Sequence, residues 1–298
     1  MITVLGSTNL DLIGTVSRIP RPGETVPGGA FSMAAGGKGA NSALAARRAG
    51  ADVRLFAAAG TDSFADEALK LLGADGVDLT HVRKVEGPTG IAMIFVDEAG
   101  ENVIAILPGA NGTMSPADAD AALAGLGIGS VLMLQQEIPQ AATERALELA
   151  KAQGVVSILN TAPFLDTTKG VAELASIVIA NETEFELLSG AGINHIEAAM
   201  DDWARSQNQT IIVTLGPDGA RAATPTGSFA VPAMKVDPVD TVGAGDTFCG
   251  YLAAGLDKGL DLEAAMKRAA VAASLATLKP GAQPAVPYAA DVEKALRG

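Results

Sequence analysis

The chain has 298 residues, 48% of them hydrophobic and 18% charged, which excludes a disordered chain and suits one large α/β domain with an insertion or two ordinary domains. Its formal charge of -13 at pH 7 excludes general attraction to nucleic acid or anionic lipid, so an anionic ligand must find local positive potential, which helix N-termini supply. Aromatics are only 4% against 34 glycines, so the core must rest on Ala, Val, Leu and Ile in tightly packed layers.

The first residues, Met1-Ile2-Thr3-Val4-Leu5-Gly6, read as a strand running into a turn rather than a signal peptide. Short apolar runs predict strands over 3–5, 53–58, 130–134, 155–159, 177–180, 210–214 and 220–223. Amphipathic spacing predicts helices over 39–49, 64–72, 140–153, 183–188, 196–205, 247–255, 262–278 and 289–296. Buried strands separated by helices imply an α/β fold, with a mostly parallel central sheet and helices on both faces. Ligands of such sheets gather beyond the C-terminal strand ends.

Two segments break this rhythm. Residues 12–33 carry Pro20, Pro22, Gly23, Pro27, Gly28 and Gly29 between short β-like pieces. Residues 90–107 give two strands, 91–96 and 102–107, joined by Asp97-Glu98-Ala99-Gly100, a hairpin by turn chemistry. Together they predict a small β sheet inserted as a lid, leaving one α/β domain over 1–298 with no independent second domain. Cys249 is the only cysteine, so no internal disulfide forms, and no stretch reaches the ~18 apolar residues of a membrane span. A soluble cytoplasmic protein is the expectation.

The segment Asp240-Thr241-Val242-Gly243-Ala244-Gly245-Asp246-Thr247-Phe248 leads two glycines straight into an apolar helix. Glycine allows close approach of a ligand, and the helix start offers unpaired N–H groups and positive partial charge. An aspartate repels phosphate there, unless it takes a proton from a hydroxyl that attacks that phosphate. Asp246 read alone is equally an N-cap. Gly36-Gly37-Lys38-Gly39-Ala40-Asn41 also opens a helix but is neither a P-loop nor a dinucleotide fingerprint. Its glycines bring backbone and Asn41 close to a polar ligand, or serve a tight turn. Asn181-Glu182-Thr183-Glu184 has the spacing of a capping pair, and the same side chains can orient water around magnesium. Thr214-Leu215-Gly216-Pro217-Asp218-Gly219 is a turn along which a nucleotide could lie. Asn9, Asp11 and Glu137 follow predicted strands, where carboxylates and amides can satisfy sugar hydroxyls. His81 and His195 lack metal-ligand spacing, Trp203 reads as packing, and Cys249 reads as a small buried hydrophobe.

In combination these segments resemble the ribokinase-like (phosphofructokinase-B type) sugar kinases over essentially the whole chain, the ribokinases among them. Gly36–Asn41 and Gly243–Phe248 stand in the family's order. So do Pro22-Gly23-Glu24-Thr25, Asn181-x-x-Glu184, Thr214-Leu215-Gly216 and Gly281-Ala282-Gln283-Pro284. The resemblance implies an ATP-dependent kinase acting on the hydroxymethyl group of a sugar. It makes Asp246 the general base, and the N–H groups of Gly243, Ala244 and Gly245 an anion hole. Asn9, Asp11, Gly37, Lys38, Asn41 and Glu137 would hold the sugar. Thr214, Gly216, Gly219 and Gly245, with Asn181, would hold ATP, and Asn181 and Glu184 would organise Mg2+ through water. A K+ site is implied at Asp240 and Val242, with carbonyls near Ala276, Lys279 and Gly281. Ala285 stands where the family often carries Ser, which implies one oxygen ligand fewer, and Ala270 stands where a polar residue often borders adenine. The lid is implied to mediate a homodimer.

Ribose is the implied sugar, because Asn9-x-Asp11, Gly37-Lys38 and Glu137 match together. Deoxyribose, fructose or a nucleoside are the alternatives, the last disfavoured by the shortage of aromatics for stacking. A non-catalytic sugar-binding regulatory protein on the same fold is a rival of another class.

Overall fold

The computed structural model describes residues 1–192 and 195–297. In chain order its strands and helices are β1 (Ile2–Leu5), β2 (Asn9–Val16), β3 (Gly28–Gly36), α1 (Lys38–Arg48), β4 (Val53–Gly60), α2 (Phe64–Ala74), β5 (Val82–Val85), β6 (Gly90–Val96) and β7 (Asn102–Leu107). Then follow α3 (Pro116–Leu123), β8 (Val131–Leu134), α4 (Gln140–Gln153), β9 (Val156–Asn160), α5 (Thr168–Ala172), β10 (Ile177–Asn181), α6 (Glu182–Ser189), α7 (Ile196–Gln207) and β11 (Thr210–Thr214). The chain ends through β12 (Ala220–Thr224), β13 (Gly227–Val231), α8 (Ala244–Asp257), α9 (Leu262–Ala276), α10 (Ala282–Ala285) and α11 (Ala289–Ala295).

Nine strands form the main sheet in the order β13-β12-β11-β10-β9-β8-β1-β4-β5. All neighbours pair in parallel except around β12, which runs against β11 and β13. Side chains alternate between the two faces, as the strand period of two requires. Val4, Met133, Ile158, Ile179 and Ile212 pack beneath α1, α8 and α9, in a core that includes Ala45, Tyr251 and Ala269. Leu5, Leu134, Leu159, Val178 and Val213 face the other core, with Ala146 of α4, Phe185 of α6 and Trp203 of α7. Both faces are buried, which explains the nearly continuous apolar runs. Because β1, β8, β9, β10 and β11 are parallel, the loops at their carboxyl ends gather along one edge.

A second sheet, in the order β3-β2-β6-β7, stands outside the main one. It begins at Asn9 and ends its β3 strand at Gly36, three residues beyond each predicted boundary of 12–33. Asn9 and Asp11 therefore lie in β2 itself, not in a loop after β1. The register puts Asp11 in one row with Ala34, Ala92 and Ile106, and Gly14 in one row with Phe31, Phe95 and Val103, on the opposite face.

Further elements were not predicted, the 4-residue α10 among them. Strand β5, Val-Arg-Lys-Val, and β13, Gly-Ser-Phe-Ala-Val, are edge strands with polar or exposed residues. Helix α3 is short and carries little apolar character beyond alanine, and α5 has only 5 residues. Helix α8 begins at Ala244, ahead of the predicted 247, because Gly243 adopts φ 76 and turns the chain into it. No helix among the described residues is long and apolar enough to cross a membrane.

Candidate active site

The site is built where α1 meets α8. Gly250, one turn past Asp246, allows the contact: a Cβ there would lie 2.5 Å from both Ala45 Cβ and Ser42 O. This close approach brings the first turns of the two helices together, and Asn41 Nδ2 donates to Asp246 Oδ2 at 2.8 Å. Asn160 Nδ2, from the end of β9, lies 3.5 Å from the other oxygen, Oδ1. Asp246 is only 5% exposed. It is not the N-cap of its helix: Gly243 holds that position, and no side chain caps the helix. Burial pushes the Asp246 carboxyl above its ordinary pKa, and the Lys38 ammonium opposes this. Lys38 in turn is held above its ordinary value, chiefly by Asp246.

A polar cluster adjoins this carboxylate. Glu137 Oε2 accepts from Ser7 Oγ at 2.5 Å and from the Lys38 backbone N–H at 3.0 Å. The Gly39 N–H donates to Ser7 Oγ at 3.3 Å, which ties β1's end to the start of α1. Asn9 Oδ1 accepts from Asn111 Nδ2 at 2.7 Å, and Asn111 Oδ1 accepts from Thr8 N at 3.0 Å. Asp11 is pushed up to about 7, first by burial, then by the charges of Glu137 and Asp246, with Lys38 opposing. The glycine pair before Lys38 is required sterically. A Cβ on Gly36 would meet Asp11 Oδ2 at 2.4 Å, and Gly37, at φ 89, would meet Asn9 N at 2.7 Å. Asn41 Oδ1 is buried without a protein partner among the described residues. The carboxyl groups of Asp11, Glu137 and Asp246, the amides of Asn9, Asn41 and Asn111 and the Lys38 ammonium suit a ligand rich in hydroxyls.

The other end of the site is a cavity of about 560 Å³, lined by Thr214, Gly216, Gly219, Ala244, Gly245 and Ala270 among others. Its walls are mainly apolar, with Phe248 and Ala273 beside Lys235 and Ser274. Ala244 and Gly245 of the first turn of α8 line it, the end of a helix that favours an anion, and Ala244 N donates to Thr241 O at 3.3 Å. Gly219, at φ 97, sits where a Cβ would lie 2.1 Å from Val231 O.

Asn181 and Glu184 form the capping box of α6: Glu184 N donates to Asn181 Oδ1 at 2.8 Å, and Asn181 N to Glu184 Oε2 at 3.0 Å. Thr161 Oγ1 also donates to Glu184 Oε2, at 2.9 Å. Both bonds to the Glu184 side chain fall on Oε2, and Oε1 accepts none among the described residues. Among the described residues no group of three His, Cys, Asp or Glu is placed to hold a metal ion. Asp240 accepts from Val242 N at 3.0 Å and from Gly281 N at 2.8 Å, locking the turn before α8 to the loop after α9. Ala276 is buried at the end of α9, and no hydrogen bond joins Lys279 to Asp240 among the described residues.

Sequence reasoning missed Ser7, Asn111, Asn160 and Thr161. Ser7 and Asn160-Thr161 stand at the carboxyl ends of predicted strands, which was a usable signal. Asn111 carried none, because its partner Asn9 is 102 residues away. His81 stacks on Phe56 with ring centroids 4.2 Å apart, Trp203 is buried, and burial raises the Cys249 thiol far above its ordinary pKa. His81 and Trp203 lie outside the site, and Cys249 borders it on α8 as a buried thiol.

The chain is similar to a deoxyribokinase of Salmonella typhi, 37% identical over 96% of this chain and 95% of that protein. It is also 37% identical to a ribokinase of Staphylococcus aureus, over 98% of each chain. Its fold matches a solved Arabidopsis thaliana ribokinase complexed with ribose and ATP, with a TM-score of 0.89, 28% identity, and coverage of 100% of this chain and 98% of that one. The family model for pfkB family carbohydrate kinases matches residues 1–289. A buried carboxylate set between a polar cluster and a cavity at a helix start, together with this likeness over almost the whole length, leads to one conclusion: the chain belongs to the pfkB family of carbohydrate kinases.

Proposed function

We propose that this chain is an ATP-dependent kinase that transfers the γ-phosphoryl group to the hydroxymethyl oxygen of D-ribose, giving ribose 5-phosphate and ADP. The observation that carries the reading is the buried Asp246 carboxylate, bonded to Asn41 and three residues beyond the N-cap of a helix that opens into the large cavity. A protein that only bound sugar would have no use for a base beside an anion site.

Asn9, Asp11, Gly37, Lys38, Asn41 and Glu137 hold the sugar, and Thr214, Gly216, Gly219 and Gly245 line the ATP site with Asn181 near the phosphates. Asp246 takes the proton as the sugar oxygen attacks the γ-phosphorus and the bond to the β-phosphate oxygen breaks. The N–H groups of Gly243, Ala244 and Gly245 stabilise the charge on the phosphoryl oxygens. Magnesium, when bound, offsets part of that same charge. Asn181 and Glu184 would hold it through water, a role that the free Glu184 oxygen supports. Asp240 and the backbone carbonyls of Val242, Ala276, Lys279 and Gly281 would hold K+, whose charge steadies the turn leading to Gly243.

The small sheet serves as a lid that closes over the sugar and excludes water, limiting ATP hydrolysis. Its exposed side chains, including Phe31 at 67%, Met33 at 51% and Val103 at 48%, support a homodimer formed through that sheet. The single cysteine, which allows no internal disulfide, suits a cytoplasmic location.

A second reading, deoxyribose as acceptor, is favoured by one observation: the deoxyribokinase relative is as identical as the ribokinase relative. A coupled ADP-release assay over ribose, deoxyribose, fructose and nucleosides, with and without K+, tests both. Ribose should turn over fastest, and K+ should raise the rate. Faster turnover of deoxyribose would favour the second reading. Sugar binding without turnover of any substrate would return the chain to a regulatory sugar-binding role.

A further inference from the structure

Asn160, the last residue of β9, and Thr161 after it have no part in the chemistry above. They are 8% and 0% exposed. Asn160 Oδ1 accepts from Ala162 N at 3.2 Å, which fixes which way the amide points and leaves its NH2 group toward Asp246. The two oxygens of Asp246 thus each face an amide donor, Asn41 at 2.8 Å and Asn160 at 3.5 Å. The second distance is long, as catalytic hydrogen bonds in substrate-free sites often are before they tighten. Thr161 is anchored beside it: its N–H donates to Ile179 O at 2.9 Å, and its carbonyl accepts from Gln136 Nε2 at 2.9 Å. Its hydroxyl reaches Glu184.

We infer that Asn160 is a positioning residue for Asp246, holding its second oxygen so that the remaining lone pairs meet the sugar hydroxyl, while Thr161 ties the same strand end to Glu184. The inference rests on the reading of Asp246 as the general base. An amide that donates to a carboxylate favours the ionised form, so its loss raises the carboxyl pKa. The charged and titratable groups facing Asp246 are Lys38 from α1, Glu137 after β8, Asp11 from β2, Glu184 from α6, and Cys249 on its own helix. All remain in place when Asn160 alone is changed, so a moved pH profile reads the missing amide.

The test compares the full-length wild type with Asn160→Ala and the shape-preserving Asn160→Asp, measuring kcat and both KM values between pH 5.5 and 9. In the alanine variant kcat should fall about tenfold or more with both KM values within about threefold. The acidic limb of its kcat profile should move up by about one pH unit, the tenfold equivalent of one lost bond to a charge. The aspartate variant should move it further, because a second carboxylate disfavours ionisation of the first. If the alanine protein does not fold, the aspartate protein carries the test alone. Profiles and kcat matching the wild type would overturn the inference while leaving the base intact. A wild type without turnover on any sugar would overturn the assignment of Asp246, and the inference with it.

Discussion

Lowering the pH from 8 to 6 should loosen the sugar, and Asp11 is the reason. Its carboxyl is pushed up to about 7 because burial and the neighbouring Glu137 and Asp246 charges disfavour ionisation more than Lys38 favours it. A carboxylate accepts hydrogen bonds from sugar hydroxyls on both oxygens, whereas the protonated acid gives up part of that capacity. If the ionised form is the one that binds, apparent Kd scales with the inverse of the ionised fraction. That fraction is about one-eleventh at pH 6, about one-half at pH 7 and about ten-elevenths at pH 8. Ribose should therefore bind about tenfold more weakly at pH 6 than at pH 8, or about 1.4 kcal/mol. The sign follows from the raised pKa: protons already bind the free site in this window, and sugar must displace them.

Isothermal titration of ribose, without nucleotide and at matched ionic strength, reads this directly. At pH 7 binding should release about half a proton, seen by repeating the titration in buffers of different ionisation enthalpy. The control is Asp11→Asn, which keeps the shape and removes the titration. It should bind weakly at every pH and lose the tenfold slope. A wild-type affinity that is flat from pH 6 to pH 8 would refute the reasoning. A slope that persists in the asparagine variant would assign the titration to Asp246, whose carboxyl burial also raises.

Asp246→Asn keeps the shape of the side chain and should fold, yet lose at least about a hundredfold in turnover. Near-normal turnover would remove the residue from the role of base. Gly219→Ala sets a Cβ against Val231 O at a backbone angle that L side chains rarely adopt. It should weaken ADP binding about tenfold by calorimetry, lower stability by about 1–3 kcal/mol, and leave ribose affinity alone. Phe31→Glu, on the exposed face of the small sheet, should convert a dimer to a monomer by light scattering. A wild type that is monomeric at micromolar concentration would refute the lid interface.

What the sequence displays and what it hides divide along a physical line. The central strands were legible because a parallel sheet covered on both faces leaves near-continuous apolar runs, as in Ile-Val-Ile-Ala over 177–180. The edge strands β5 and β13 were not, because half of each faces solvent. The two Gly-rich turns were legible because glycine reports a local demand, a positive φ at Gly37 and Gly243. Asn111 was not, because its partner lies 102 residues away, and Asn160 showed its place at a strand end but not its partner 86 residues away. Gly250 is the most instructive case. Mid-helix it reads only as a loss of helix propensity, about 1 kcal/mol against alanine. In the fold it admits the α1 backbone to within contact of α8, and that approach lets Asn41 reach Asp246. A methyl group at 250 would have to push the helices apart or be absorbed by their backbones. The chemistry at Asp246 thus depends on a missing side chain one helical turn away, which no reading of the catalytic motif by itself could supply.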